Sequence, residues 1–81
     1  MEKHYYVDVP PALARSQWAD FEHELSFPAA ALDAHLGAVE GDPDRTHVIL
    51  RTEGEQQTDE AMWRFRLFLA SRGLIRLEPP L

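Results

Sequence analysis

No cysteine occurs anywhere in the 81 residues, so disulfide staples, thiolate nucleophiles and thiolate metal sites are all excluded. Only a hydrophobic core can hold such a chain together. Area scaling for its 9.3 kDa gives roughly 5,000 Å² exposed when folded against about 13,500 Å² unfolded, so that core is one thin layer. Ordering the chain costs on the order of 100 kcal/mol, which nearly cancels what such burial returns. Residues 1–81 are therefore expected to form a single compact domain that works in association with something else.

The hydrophobic period changes along the chain and divides it into elements. Tyr5, Val7 and Val9 alternate with His4, Tyr6 and Asp8, the period of a strand with one packed and one wet face. Pro10 and Pro11 end that run. Ala14, Trp18, Phe21 and Leu25 then fall at i, i+4, i+7 and i+11, one stripe along a helix that opens on Pro11. Ser26-Phe27-Pro28 interrupts it. Ala29 to Leu36 reads as a second, shorter helix with Leu32 and Leu36 inward and Gly37 placed to end it.

Gly41-Asp42-Pro43-Asp44 is a turn, and Thr46 to Thr52, centred on His47-Val48-Ile49-Leu50, reads as the second strand. Thr58 is placed as the N-cap of a third helix, with Asp59 and Glu60 in its first turn. In that helix Met62, Phe65 and Leu69 share one side, and Gly73 is a suitable C-cap. Leu74 to Glu78 reads as a short last strand. The pattern predicts an α/β chain of α+β type: a two-layer sandwich of a small three-stranded sheet with about three helices on one face, in the order β-α-α-β-α-β. Strand direction and order stay open at this level.

The net charge of −6 is unevenly distributed. Residues 1–60 hold four bases against thirteen acids, whereas residues 61–81 hold four arginines and one acid, Glu78. The densest acidic part is Glu40, Asp42, Asp44, Glu53, Glu55, Asp59 and Glu60, on two loops at opposite ends of the second strand. Arg64 and Arg66 diverge by about 200° on a helix and form no single prong. With an isoelectric point near 5.0, this argues against direct nucleic-acid binding and for arginines paired within the chain.

No catalytic set can be assembled from these residues. Asp20, His23 and Glu24 share a helix, but no second histidine or cysteine pair completes a metal-ligand spacing there. The serines lie in helical or capping contexts, and Gly37, Gly41, Gly54 and Gly73 are too scattered for a phosphate loop. His4 and His47 would be neighbours on the open sheet face if the first two strands pair. No cofactor and no metal is expected, and no enzyme activity. The longest nearly apolar stretch, Phe27 to Leu32, is far short of the roughly 18 residues of a membrane span, so a soluble, cytoplasmic protein is expected.

Trp63 stands out among the aromatics. It lies about 200° round the helix from Phe65, with Leu67 and Ala70 on its side. Either it covers the edge of a neighbouring helix, or a Trp63–Leu67 stripe is exposed for a partner. Tyr6 on the open sheet face poses the same choice.

The expected function is a small, acidic, non-catalytic binding or inhibitor protein that occupies a surface of a larger, basic or nucleic-acid-handling protein. Glu53, Glu55, Asp59 and Glu60 would steer that partner, and Trp63 or Tyr6 would anchor it. A self-associating homodimeric or accessory subunit is the alternative, with a small-ligand binder or minor enzyme behind it. In smallness, acidity and lack of a catalytic set the chain resembles anti-CRISPR proteins of phages, small antitoxins and toxin-immunity proteins, a likeness of general character resting on no particular residue.

Overall fold

A computed structural model describes residues 1–24 and 32–77 of the chain. The elements run β1 (Glu2–Val7), α1 (Pro11–Glu24), β2 (Asp33–Val39), β3 (Asp42–Arg51) and α2 (Glu55–Ser71). Among the described residues the order is thus β-α-β-β-α, of α+β type with a three-stranded antiparallel sheet and two helices, where the sequence predicts three helices and β-α-α-β-α-β.

The short helix predicted over Ala29 to Leu36 is corrected to β2. Its Leu32 and Leu36 have helical spacing, but Leu32, Ala34, Leu36 and Ala38 also alternate with Asp33, His35 and Gly37, and β3 supplies the pairing that decides between the two periods. Ala29 to Ala31 lie outside the described residues. Gly37, expected as a helix end, sits mid-strand opposite His47. The link to β3 is a tight turn in which Gly41 has φ +80, a conformation that glycine adopts without strain.

β3 is the central strand, with order β1-β3-β2. Its Thr46, Val48, Leu50 and Thr52 point under the helices, and His47, Ile49 and Arg51 point to the open face. From β1 the buried face receives Tyr5 and Val7, and from β2 it receives Ala34 and Leu36. Over it lie Ala14, Trp18 and Phe21 of α1, with Met62, Phe65 and Leu69 of α2. Phe65 is fully buried, its ring centroid 4.8 Å from that of Trp18 in an edge-on contact and 5.3 Å from that of Phe21.

Polar groups that enter the core are satisfied there. The Thr46 hydroxyl donates to the Val9 carbonyl at 2.7 Å, tying the chain after β1 to the central strand. Thr58, expected as an N-cap, is instead fully buried, because α2 begins almost a turn earlier at Glu55 with Gly54 as its cap residue. At its other end α2 closes as the sequence implies. Gly73 has φ +73, the Gly73 N–H donates to Ala70 and the Leu74 N–H to Leu69, the paired bonds of a Schellman cap.

Leu74 to Leu77 form no strand, which corrects the predicted last element; Glu78 lies outside the described residues. Leu74 and Ile75 pack instead against the core, and the Tyr6 carbonyl on the neighbouring edge accepts from the Arg66 side chain at 3.1 Å.

Substituting Phe65→Ala is expected to lower the unfolding free energy by about 3–5 kcal/mol in urea melts, since it empties the contact between both helices. Leu67→Ala, on the opposite side of the same helix, is expected to change it by less than about 0.5 kcal/mol.

Candidate protein-binding surface

The surface develops from the way α2 is wider in apolar residues than the core beneath it. Its inner side carries Ala61, Met62, Phe65 and Leu69 into the interior, which leaves Trp63 and Leu67 on the other side. Trp63 is 52% exposed and Leu67 43%. Asp59 and Arg66, four residues before and three after Trp63, both reach β1: Asp59 Oδ1 accepts from Tyr5 Oη at 2.6 Å and from Lys3 Nζ at 2.8 Å, and Arg66 donates to the Tyr6 carbonyl. Trp63 and Leu67 therefore line the flank of α2 that overhangs the β1 edge.

Of the expected acidic residues, Glu53 is exposed in the loop before α2, and Glu55 is the first residue of α2, with a side chain outside what the structure describes. Asp59 and Glu60 lie four and three positions before Trp63, so they border it on the helix surface. Glu60 accepts from Arg64 at 2.8 Å. The structure thus gathers Glu60, Asp59 and Trp63 on one helix flank with Glu53 at its amino end. Glu40, Asp42 and Asp44 sit at the other end of the ten-residue β3, about 30 Å away at strand rise, and belong to no common patch.

Tyr6, the other expected anchor, is 44% exposed but on the open sheet face, with the sheet between it and α2. There it belongs to a stacked column that sequence reasoning only partly located. Arg45 lies over the Tyr6 ring at 4.8 Å, Tyr6 stacks on His47 at 5.0 Å, and His47 stacks on His4 at 5.0 Å. His4 Nδ1 and His47 Nε2 share a proton at 2.8 Å. Glu2 faces the other side of His4 at 3.2 Å and is itself held by Arg51 at 2.8 Å. The β1–β3 register that makes these neighbours, Tyr6 opposite His47 and Glu2 opposite Arg51, was not readable from either strand alone.

Electrostatics follow these contacts. The hydrogen bond from Lys3, and after it that from Tyr5, holds the Asp59 carboxyl below its ordinary value of 3.8. Desolvation first, then the bond to Asp59, raises the Tyr5 hydroxyl, so it stays a donor. Hydrogen bonds from Arg51 and then His4 lower Glu2. Arginines are engaged within the chain: Arg72 with Asp20 at 3.0 Å, Arg45 with Asp8 at 3.5 Å, and Arg15 with the Leu36 carbonyl at 3.0 Å. Among the described residues Glu24, Glu40, Asp44 and Glu53 are in no ion pair, and of these Glu53 is the one next to α2, whereas Asp59 and Glu60 are paired with Lys3 and Arg64. No three potential metal ligands are gathered at one point among the described residues, and no helix there is long and apolar enough to cross a membrane.

Because the folded Asp59 carboxyl ionises more readily than the unfolded one, its contribution is present above the unfolded value and disappears as pH falls through the folded value. Urea melts of wild type and Asp59→Asn are expected to differ at neutral pH and to converge at low pH, below 3.8. Curves that stay parallel down to that range would show that the Lys3–Asp59–Tyr5 contact does not contribute.

No protein-family model, curated protein or solved structure matches this chain.

Proposed function

We propose that the protein is a non-catalytic binding protein that covers a surface of a larger, basic protein, with Trp63 and Leu67 as the buried centre of the contact and Glu53, Asp59 and Glu60 as its acidic border. The observation that carries this reading is the exposure of a tryptophan and a leucine, side by side on a helix whose opposite face fills the core. Water-exposed tryptophan is costly to keep, and tryptophan is over-represented among residues that dominate binding energies. The negative surface supports capture of a basic partner, including one that otherwise holds nucleic-acid phosphate, through faster encounter. An inhibitor, antitoxin or immunity protein works in this manner.

A symmetric homodimer through the same stripe is the second reading. It is favoured by the open β1 edge beside Trp63, where Glu2 and His4 direct their backbone groups away from β3. The charge of −6 on each copy opposes it.

In affinity capture from lysate with identification of the retained protein, Trp63→Ala is expected to reduce retention about 30-fold, the effect of removing a contact worth about 2 kcal/mol. Reversal of Glu53 and Glu60 to lysine is expected to weaken capture at low salt and to matter little at high salt. Retention indifferent to Trp63→Ala rejects the proposal. Light scattering at micromolar concentration separates the second reading, which requires twice the 9.3 kDa mass.

A further inference from the structure

The open sheet face carries three of the four histidines of the chain, one from each strand. His4 of β1 and His35 of β2 both lie opposite Ile49 of β3, and His47 is two residues from Ile49 on that central strand. His47 is therefore the diagonal neighbour of both, a separation of about 7–8 Å between backbone positions that imidazole rings span easily. The fourth histidine, His23, is on α1, on the other side of the sheet.

We propose that His4, His47 and His35 form a binding site for a divalent transition-metal cation of the zinc type on this face. Two of the ligand atoms are already adjacent: His4 Nδ1 and His47 Nε2 are 2.8 Å apart. Two nitrogens on a tetrahedral zinc at the usual Zn–N distance of about 2.0–2.1 Å stand about 3.3 Å apart, so a cation takes the place of the shared proton once the two nitrogens part by about half an ångström and the rings tilt to direct their lone pairs at it. The outer ring contact is the second observation. Glu2 Oε2 lies 3.2 Å from His4 Nε2 and is itself held by Arg51, so Nε2 carries the proton and Nδ1 presents its lone pair. A histidine whose other nitrogen donates to a carboxylate is the usual arrangement around metal ligands, because it orients the ring and raises its basicity.

His47 then donates from Nε2 to His4 in the metal-free state. On metal binding its proton moves to Nδ1, its charge unchanged, and Nε2 becomes a ligand. Stacking between Tyr6 and His4 keeps the His47 ring in place. In the present side-chain arrangement no three ligands converge among the described residues; the proposed third ligand is His35, which is exposed and held by no hydrogen bond or ring contact among those residues, so its side-chain torsions are free to turn toward the pair. Opposite His47 on β2 stands Gly37, with nothing within 4 Å of where a Cβ would be, which leaves that approach open. Without cysteine the site is all imidazole, a set suited to zinc, copper and nickel and poorly suited to magnesium or calcium.

The test is titration calorimetry of the whole chain with zinc chloride at pH 7.5, in wild type and in His4→Ala, His47→Ala, His35→Ala and His23→Ala, each checked for folding by circular dichroism melts. One zinc per chain is expected, with affinity reduced at least about tenfold in the first three variants and unchanged in His23→Ala. Glu2→Gln, which leaves all ligands in place, is expected to weaken binding by about 10-fold or more. Histidine ring resonances of the wild-type protein provide a readout that needs no variant: zinc is expected to shift those of His4, His35 and His47 and to spare His23. Absence of saturable binding, wild-type affinity in any of the first three variants, or a shift at His23 overturns the assignment.

Discussion

The contact of Phe65 with Trp18 and Phe21 is what the remaining structure depends on. It is the point at which both helices meet over the sheet, and every ring involved is buried. A core of this thickness holds one aromatic layer between helices and strands, and α2 supplies more apolar residues than that layer accepts. Trp63 and Leu67 are outside because Phe65 and Met62 are inside: on one helix the two sets point in opposite directions. The candidate binding surface is in this sense a result of the packing.

The two edges of the sheet are finished by the same device. Arg15 on α1 donates to the Leu36 carbonyl of β2, and Arg66 on α2 donates to the Tyr6 carbonyl of β1. Each arginine reaches past its helix to a carbonyl that the strand alternation directs away from β3. A long cation over an edge carbonyl discourages pairing with another strand at that position while leaving the helix free to pack. Two further arginines of the basic carboxyl-terminal part are held by side chains of this chain, Arg64 by Glu60 and Arg72 by Gln17 and Asp20.

Much of the architecture was legible in the sequence, for reasons that differ by element. The alternation in β1, the Ala14–Trp18–Phe21 stripe of α1 and the Gly73 cap are local signals that tertiary structure left intact. The identity of β2 was not legible, because Leu32 to Ala38 satisfies both the strand and the helix period and the choice was made by β3, a partner distant from the pattern itself. The start of α2 was misplaced because a threonine is a good cap when exposed and a good core residue when its hydroxyl is satisfied; Thr58 is the second. At the site, the spare apolar side of α2 could be counted from the sequence, whereas the burial that makes it spare could not. The His4–His47 contact depended on pairing and on rotamers, which composition does not carry.

The sheet also joins partners of very different separation along the chain. β2 meets β3 through a two-residue turn, whereas β1 meets it across α1 and the whole hairpin, Val7 lying opposite Thr46. Closing the longer loop costs about 2 kcal/mol more in chain entropy by logarithmic scaling. The hairpin is accordingly the natural nucleus, with β1 docking afterwards and completing the histidine column as it does so. The strand that precedes the other two along the chain is thus the last to take its place in the sheet.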